Sequence, residues 1–170
     1  MHLALDTETT GTDSFHGCKP FLVTGCDGDY NYLFRGYVDH STREVYWDST
    51  STNEVIDLIH SATSLIFHNT NFDRRMLASI GIDLTPYLHK VHDTLLLSHL
   101  LCNGDKHGLK DICIKYLRYY NDDEQIMSNV VASERIRLAN TGTAIAKLGH
   151  PHFPAAPKNT RWGAMDMWLA

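Results

Sequence analysis

Two acidic side chains near the amino terminus have a spacing that suits a metal site. Asp6 and Glu8 are separated by one residue and follow the apolar positions Leu3 and Leu5. Side chains two positions apart in a strand point to the same side, so the two carboxylates would converge on one point. Carboxylates held that close repel each other unless they share a proton or bind a cation. In this apolar setting a divalent metal is the expected partner, although an isolated Asp-x-Glu is more often a solvated turn.

A second polar cluster lies at residues 68–73, where the sequence reads His-Asn-Thr-Asn-Phe-Asp. A buried strand is predicted to end at His68, which would place Asp73 in the first turn of the next helix. An acid at that position stabilises the helix dipole, and Asn69 and Asn71 could be ordinary helix caps. In an open α/β sheet, however, ligands bind at the carboxyl ends of the strands. The cluster therefore also lies where a ligand site would form.

The three acids would share one pocket if the two strands are neighbours. Asp6, Glu8 and Asp73 have no Cys or His ligand pattern close to them in the sequence. Such a set of carboxylates suits hard cations, Mg²⁺ or Mn²⁺. Two metal ions about 4 Å apart recur in enzymes that hydrolyse phosphodiesters. The sequence therefore predicts a site for divalent cations at the edge of a sheet.

The elements that would position these acids are strands in the first part of the chain and alternating strands and helices afterwards. Residues 51–54 form a capping box that would open a helix with Val55 and Ile59 on its buried side. Asp93 would cap a later helix. The predicted strands cover residues 3–6, 21–26, 30–34, 44–47, 65–68 and 90–92. The predicted helices cover residues 72–80, 94–101, 108–117 and 122–138, in addition to the one that begins at the capping box.

This order of elements predicts an α/β fold, with a mixed sheet flanked by helices on both faces. The helix at 108–117 would present Leu109, Ile112, Cys113 and Tyr116 on one face. Residues 141–162 contain three of the five prolines and show no clear period. The apolar stretch 162–170 stops abruptly, so we expect the native chain to continue.

The composition is that of a soluble globular protein, with 43% hydrophobic and 21% charged residues. A length of 170 residues predicts one domain. We expect no membrane span and no secretory signal. The four cysteines show no close pairing, as in a reducing cytosol. A net charge of −5 argues against a broad surface for duplex DNA, but not against a short strand held at a metal.

Four motifs together resemble a known family. They are Asp6-Thr7-Glu8, the run at 68–73, Val91-His92-Asp93-Thr94 and His107-Gly108-Leu109-Lys110. In this order and at these spacings they resemble the DEDD (DnaQ-like) superfamily of 3′–5′ exonucleases, which implies an RNase H-like fold. Within it, residues 1–117 most resemble the proofreading exonuclease domain of family A DNA polymerases, particularly phage-type ones. The set is specific, although each motif alone is weak.

The resemblance implies roles for individual residues. Asp6, Glu8 and Asp73 correspond to metal ligands and catalytic residues that bind two ions of Mg²⁺ or Mn²⁺. Asn69 corresponds to an amide beside the bound strand, and Thr7 would contact the terminal nucleotide through its backbone. Asp93 and His107 are interpreted as structural residues at helix starts. Phe15 and Phe72 are candidates for stacking on the last bases, with core packing as the alternative for both.

The resemblance also implies a substrate and partners. The enzyme would hydrolyse the terminal phosphodiester of single-stranded or frayed DNA at its 3′ end and release nucleoside 5′-monophosphates. A polymerase domain would lie in the same full-length chain, and the protein would act in the cytoplasm of a bacterium or a phage-infected host cell. Residues 1–170 would be the exonuclease domain.

The sequence departs from the family at the fourth acid. The family has a late Tyr-x-x-x-Asp or His-x-x-x-Asp, in which the aromatic or imidazole ring positions the attacking water. The late candidate here is Asp166, with Trp162 four residues before it, and Trp cannot orient a water in that way. We therefore expect the true motif to lie beyond residue 170 and this fragment to bind metal weakly.

Three alternatives remain open at this point. The same fold would suit an exoribonuclease, although no residue is predicted to contact a 2′-hydroxyl. A degenerate domain that only holds a strand is favoured by the missing acid and opposed by the three acids that are present. A small-molecule hydrolase using His68 or His92 is disfavoured, because the sequence has no G-x-S-x-G elbow.

Overall fold

The computed structural model describes residues 1–39, 42, 44–120, 125–126, 128–130, 132–133 and 136–137. The chain divides into two compact units, Met1–Tyr120 and Asn121–Ala170. In the second unit the described residues are helical and exposed, within the range where a polar helix was predicted. The prediction for 141–170, which includes Trp162 and Asp166, lies outside the described residues.

The first unit is built on a mixed five-stranded sheet with the strand order β3-β2-β1-β6-β7. A separate two-stranded sheet pairs β4 with β5. The strands are β1 (His2–Thr9), β2 (Pro20–Cys26), β3 (Asn31–Arg35), β4 (Tyr37–Val38), β5 (Val45–Tyr46), β6 (Ser64–Phe67) and β7 (Val91–Asp93). The helices are α1 (Ser49–Ser61), α2 (Thr70–Ala78), α3 (Thr94–Leu101) and α4 (Leu109–Ile112), with 3₁₀ turns at Ser14–His16 and Thr85–Lys90 and a π-helical turn at Cys113–Leu117.

The central strand β1 joins the two kinds of pairing. It runs antiparallel to β2 and parallel to β6, and β6 in turn runs parallel to β7. The carboxyl ends of β1, β6 and β7 therefore meet at one edge of the sheet. This confirms the predicted mixed sheet and makes the two acid-bearing strands neighbours.

One face of the sheet carries the core. Alternate residues of β1 are buried, and the parallel pair Leu3 and Leu65 lies on this face. Helix α1 contributes Val55 and Ile59, which confirms the predicted apolar side of that helix. The core cluster contains Leu3, Leu5, Val23, Val55, Ile59, Ala62, Leu65, Phe67, Leu77, Ile82 and Leu84. On the opposite face of the sheet, Leu109 of α4 lines a cavity, so helices flank both faces.

One local prediction is wrong, and another is confirmed with a change in helix type. Helix α1 begins at Ser49 and not at the capping box, because Asp48 precedes it and accepts a hydrogen bond from the Ser51 N–H at 2.8 Å. The helix predicted at 108–117 continues from α4 into a π-helical turn. Its predicted apolar face is half exposed in the described part of the chain, with Leu109 at 53%. Helix α3 begins at Thr94 after an Asp93 cap, as predicted.

Within the described ranges, no helix is both long and apolar enough to cross a bilayer.

Candidate active site

The alternation of β1 decides where its acids point. Leu5 and Thr7 are buried on the core face, whereas Asp6 and Glu8 lie on the other face, where each is partly covered and partly open to solvent. The two carboxylates therefore share one side of the strand, as the sequence predicted. Partial burial raises the pKa of Glu8 above its ordinary value, and the nearby charge of Asp6 raises it further. Charge crowding between the two acids is thus present in the folded chain.

The surroundings of Asp6 shift the pKa of its carboxyl in both directions. Partial burial raises the pKa of its carboxyl, while a hydrogen bond from the Thr7 backbone and the proximity of His68 lower it. The shift is upward overall, so the surroundings hold too little positive charge to compensate for desolvation. A carboxylate in this situation favours a cation as a ligand.

Asp73 is the most deeply buried acid of the candidate site. It lies in the first turn of α2, as predicted, and only 2% of its surface is exposed. Its pKa is raised to about 6: burial is the largest cause and the charge of Asp6 acts in the same direction, whereas a hydrogen bond from Thr7 opposes both. A buried carboxyl without a cationic partner is costly to ionise, and such groups cluster at functional sites.

The Thr7 side chain connects the two elements that carry the acids. Its hydroxyl donates to Asp73 Oδ1 at 2.8 Å, and both groups are buried. The sequence analysis predicted only a backbone contact for Thr7, because the sequence around a threonine does not show which distant residue its hydroxyl will bond. The bond fixes the Asp73 carboxylate against β1.

The three acids interact electrostatically, but their side chains do not form a complete set of metal ligands in the described part of the chain. The charge of Asp6 acts on both Glu8 and Asp73. Asp6 and Glu8 leave β1 on one face, however, while Asp73 is bonded to Thr7 on the other. In the part of the chain that the structure describes, no three His, Cys, Asp or Glu side chains are grouped so that they could hold a metal ion. The predicted ligand set therefore stays a prediction.

Asn69 lies at the turn between β6 and α2. Its backbone is left-handed, with φ of 77°, and its side chain is exposed and makes no capping hydrogen bond. The alternative that Asn69 is an ordinary side-chain cap is therefore wrong. Its predicted contact with a bound strand stays a prediction.

Asp93 supplies the caps that Asn69 does not. Its carboxylate accepts hydrogen bonds from the backbone N–H groups of Asn69 (3.2 Å) and Thr70 (2.8 Å) at the start of α2. It also accepts bonds from Leu95 (2.9 Å) and Leu96 (3.3 Å) at the start of α3. Burial alone would raise its pKa, but these bonds outweigh burial and lower it. The structural interpretation of Asp93 is confirmed.

The two candidate stacking residues and His107 lie in different surroundings. Phe15 is 81% exposed on the first loop, and Phe72 is half-buried in α2. Phe15 is therefore not a core residue. His107 accepts or donates a 2.9 Å hydrogen bond with Ser98 and stacks on His99, just before the start of α4, as a structural residue would.

The fold and this edge of the sheet define a class of protein. The sequence model of the 3′–5′ exonuclease family, of the type found in family A DNA polymerases, matches residues 1–141. The chain therefore belongs to the 3′–5′ exonuclease family. The DnaQ-like resemblance and the RNase H-like fold are both confirmed.

A particular relative is a phage polymerase. The DNA polymerase DpoZ of Salmonella phage PMBT28 is 28% identical over 173 residues, which cover 99% of this chain and 25% of the polymerase. The chain thus spans about a quarter of the length of that relative.

Two solved structures are similar. NrnC of Brucella melitensis is 26% identical with a TM-score of 0.52, covering 71% of this chain and 53% of NrnC. Exonuclease X in complex with 5′ overhanging duplex DNA is 16% identical with a TM-score of 0.44, covering 66% of this chain and 71% of that one.

Proposed function

We propose that this chain is the proofreading exonuclease domain of a DNA polymerase and removes nucleotides from the 3′ end of single-stranded or frayed DNA. The observation that carries the proposal is the buried Asp73 carboxyl, with its pKa raised to about 6, at the sheet edge where Asp6 and Glu8 emerge. Membership of the 3′–5′ exonuclease family supports the reaction, and the similarity to DpoZ supports the polymerase context. Each released product would be a nucleoside 5′-monophosphate.

The residues fit divalent cations of the hard class. Asp6, Glu8 and Asp73 offer only carboxylate oxygens, which suit Mg²⁺ or Mn²⁺. The pKa values of all three acids are raised, so a bound cation would relieve the crowding of negative charge. Two bound ions would supply an activated water and neutralise charge on the scissile phosphate. A fourth carboxylate would complete the set, supplied by Asp166 or by a later residue of the full-length protein.

Other residues would position the Asp73 carboxylate or contact the bound strand. Thr7 would hold the Asp73 carboxylate through its hydroxyl, and its backbone would contact the terminal nucleotide. Asn69, exposed at the left-handed turn, would contact the bound strand. The exposed ring of Phe15 would stack on one of the last bases. The polymerase domain would lie elsewhere in the full-length protein, which would act in the cytoplasm of a bacterium or an infected host cell.

The test compares acid variants in the full-length protein. Asp6→Asn and Asp73→Asn should each lower Mg²⁺-dependent digestion of a 5′-labelled single strand by about 100-fold or more, since a metal supplies several kcal/mol of charge stabilisation. Asp57→Asn is the matched control, because Asp57 is an exposed acid on α1 that is not one of the candidate site residues. The substrate should shorten one nucleotide at a time from its 3′ end, and EDTA should stop the reaction.

Wild-type rates in either acid variant would contradict the metal assignment. Digestion from the 5′ end would contradict the polarity. Equal rates on matched DNA and RNA strands would contradict the preference for DNA.

A further inference from the structure

The face of the sheet opposite the core carries a cavity of about 700 Å³ that reaches the candidate site. This volume falls within the range of ordinary ligand clefts. Its lining includes Asp6 and His68 together with the apolar residues Leu33, Ile66 and Leu109. A cavity of this kind orients a ligand through a few polar groups at its rim.

His68 occupies a fixed position at that rim. Because Ala4 pairs with Ile66 in the parallel register of β1 and β6, His68 lies beside Asp6 on the same face, two positions further along. Its Nδ1 is 2.9 Å from the Thr94 hydroxyl. Neither the motif comparison nor the spacing of acids assigns a role to this histidine.

The Thr94 hydroxyl fixes the tautomer of the ring. This hydroxyl donates its single proton to the Phe67 carbonyl at 3.0 Å. Its oxygen can therefore only accept from His68, so Nδ1 of the ring carries the proton. In the neutral ring, Nε2 then has a free lone pair, and that atom has no hydrogen-bond partner among the residues that the structure describes. The rim of the cavity thus presents an acceptor next to a predicted metal ligand.

A nucleic-acid end offers few donors to such an acceptor. Its phosphate oxygens only accept, and the donors on its bases differ from one base to the next. The terminal sugar, in contrast, offers a 3′-hydroxyl and, in RNA, a 2′-hydroxyl that donate whatever the base. We propose that His68 is a substrate-binding residue whose Nε2 accepts a hydrogen bond from a sugar hydroxyl of the terminal nucleoside, with the nucleoside lying in the cavity. The proposal rests on the proposed exonuclease function. Thr94 is then a positioning residue.

The experiment measures binding of three matched strands to the full-length protein. The strands carry a 5′ fluorophore and end in a 2′,3′-dideoxy, a deoxy or a ribo nucleotide, so that they differ only in terminal hydroxyls. Fluorescence anisotropy is recorded with Ca²⁺ in place of Mg²⁺. Loss of one hydrogen bond should weaken binding about 3- to 10-fold, so the wild type should bind at least one hydroxyl-bearing end that much more tightly than the end lacking the hydroxyl.

In His68→Ala the advantage should disappear for the hydroxyl that His68 contacts. A collapsed ratio between the deoxy and dideoxy ends identifies the 3′-hydroxyl, and a collapsed ratio between the ribo and deoxy ends identifies the 2′-hydroxyl. Thr94→Val should reduce the same ratio, because the ring loses the group that fixes its tautomer. His60→Ala, an exposed histidine on α1, should leave both ratios unchanged.

Two results would overturn the proposal. One is an unchanged pair of ratios in His68→Ala. The other is an equal loss of affinity for all three ends, which would indicate a phosphate contact or a general loss of shape. These outcomes are separate from failure of the proposed function, because that function is judged by 3′-end digestion in the wild type. A wild type that binds none of the three strands would contradict both proposals.

Discussion

The regions that follow β6 and β7 each place an aspartate near the end of a strand, and the two carboxyls have opposite surroundings. Asp73, after β6, is buried, and its single described side-chain donor is Thr7. Asp93, at the end of β7, accepts four backbone hydrogen bonds at the starts of α2 and α3. The pKa of Asp73 is raised to about 6, mainly by burial, whereas the hydrogen bonds lower the pKa of Asp93 despite its partial burial.

This difference separates two uses of the same side chain. Hydrogen bonds that satisfy a carboxylate stabilise its charged form and thereby the fold. A buried carboxylate with few donors destabilises the fold when it is charged, so it remains available for an external cation. The carboxylate at the end of β7 caps two helices, whereas the carboxyl after β6 is the one that we propose as a metal ligand.

The largest expected contrast is in the pH dependence of stability. The Asp73 pKa is about 6 in the folded protein and about 3.8 for an ordinary Asp. Between these values the folded state binds more protons than the unfolded state, so stability falls as pH rises from 4 to 6 and levels off above. In EDTA at pH 7.5, Asp73→Asn should therefore be more stable than wild type by about 3 kcal/mol.

Urea unfolding at pH 4.0 and 7.5 checks this prediction. The two proteins should have similar stability at pH 4.0 and should diverge as the pH rises. Asp57→Asn, which removes an exposed charge, controls for net charge. A difference of constant size across the range would show that Asp73 is not the titrating group.

Asp93→Ala should have the reverse effect. Removal of the carboxylate leaves four backbone N–H groups at two helix starts without their acceptor, and each lost cap costs about 0.5–2 kcal/mol. We expect a loss of about 1–3 kcal/mol in the free energy of unfolding at pH 7.5. Asp93→Asn keeps one oxygen acceptor and should lose less. Chemical denaturation measures both, and a neutral Asp93→Ala would contradict the double-cap interpretation.

Much of this contrast could be predicted from the sequence. The Asp93 cap was predictable because an Asp directly before an apolar helical run is a local signal. The alternation of β1 was equally local, and it correctly placed Asp6 and Glu8 on one side of the strand. Helix α1 begins at Ser49, before the predicted capping box at residues 51–54, because Asp48 is also a good N-cap residue. The sequence therefore contains two possible helix starts, and local patterns do not decide between them.

The rest depends on contacts between distant parts of the chain. The Thr7–Asp73 bond joins residues 66 positions apart, and no periodicity reports it. The role that we propose for His68 depends on the parallel register of β1 and β6 and on the single proton of the Thr94 hydroxyl. Leu109 of α4 lies on the predicted apolar face and is 53% exposed, because a helical period shows that one face is apolar but not what covers it.

The smallest expected effect concerns the single hydrogen bond that Asp73 accepts from the Thr7 side chain. Thr7→Val removes the hydroxyl that favours the charged carboxylate and keeps the side-chain volume, so the pKa of Asp73 should rise further. We expect the Mg²⁺ concentration for half-maximal digestion at pH 6.5 to increase about 3- to 10-fold, which corresponds to one hydrogen bond. Thr7→Ser keeps the hydroxyl and should stay closer to wild type. An identical Mg²⁺ dependence in both variants would mean that Thr7 only packs, and that Asp73 is positioned by α2 alone.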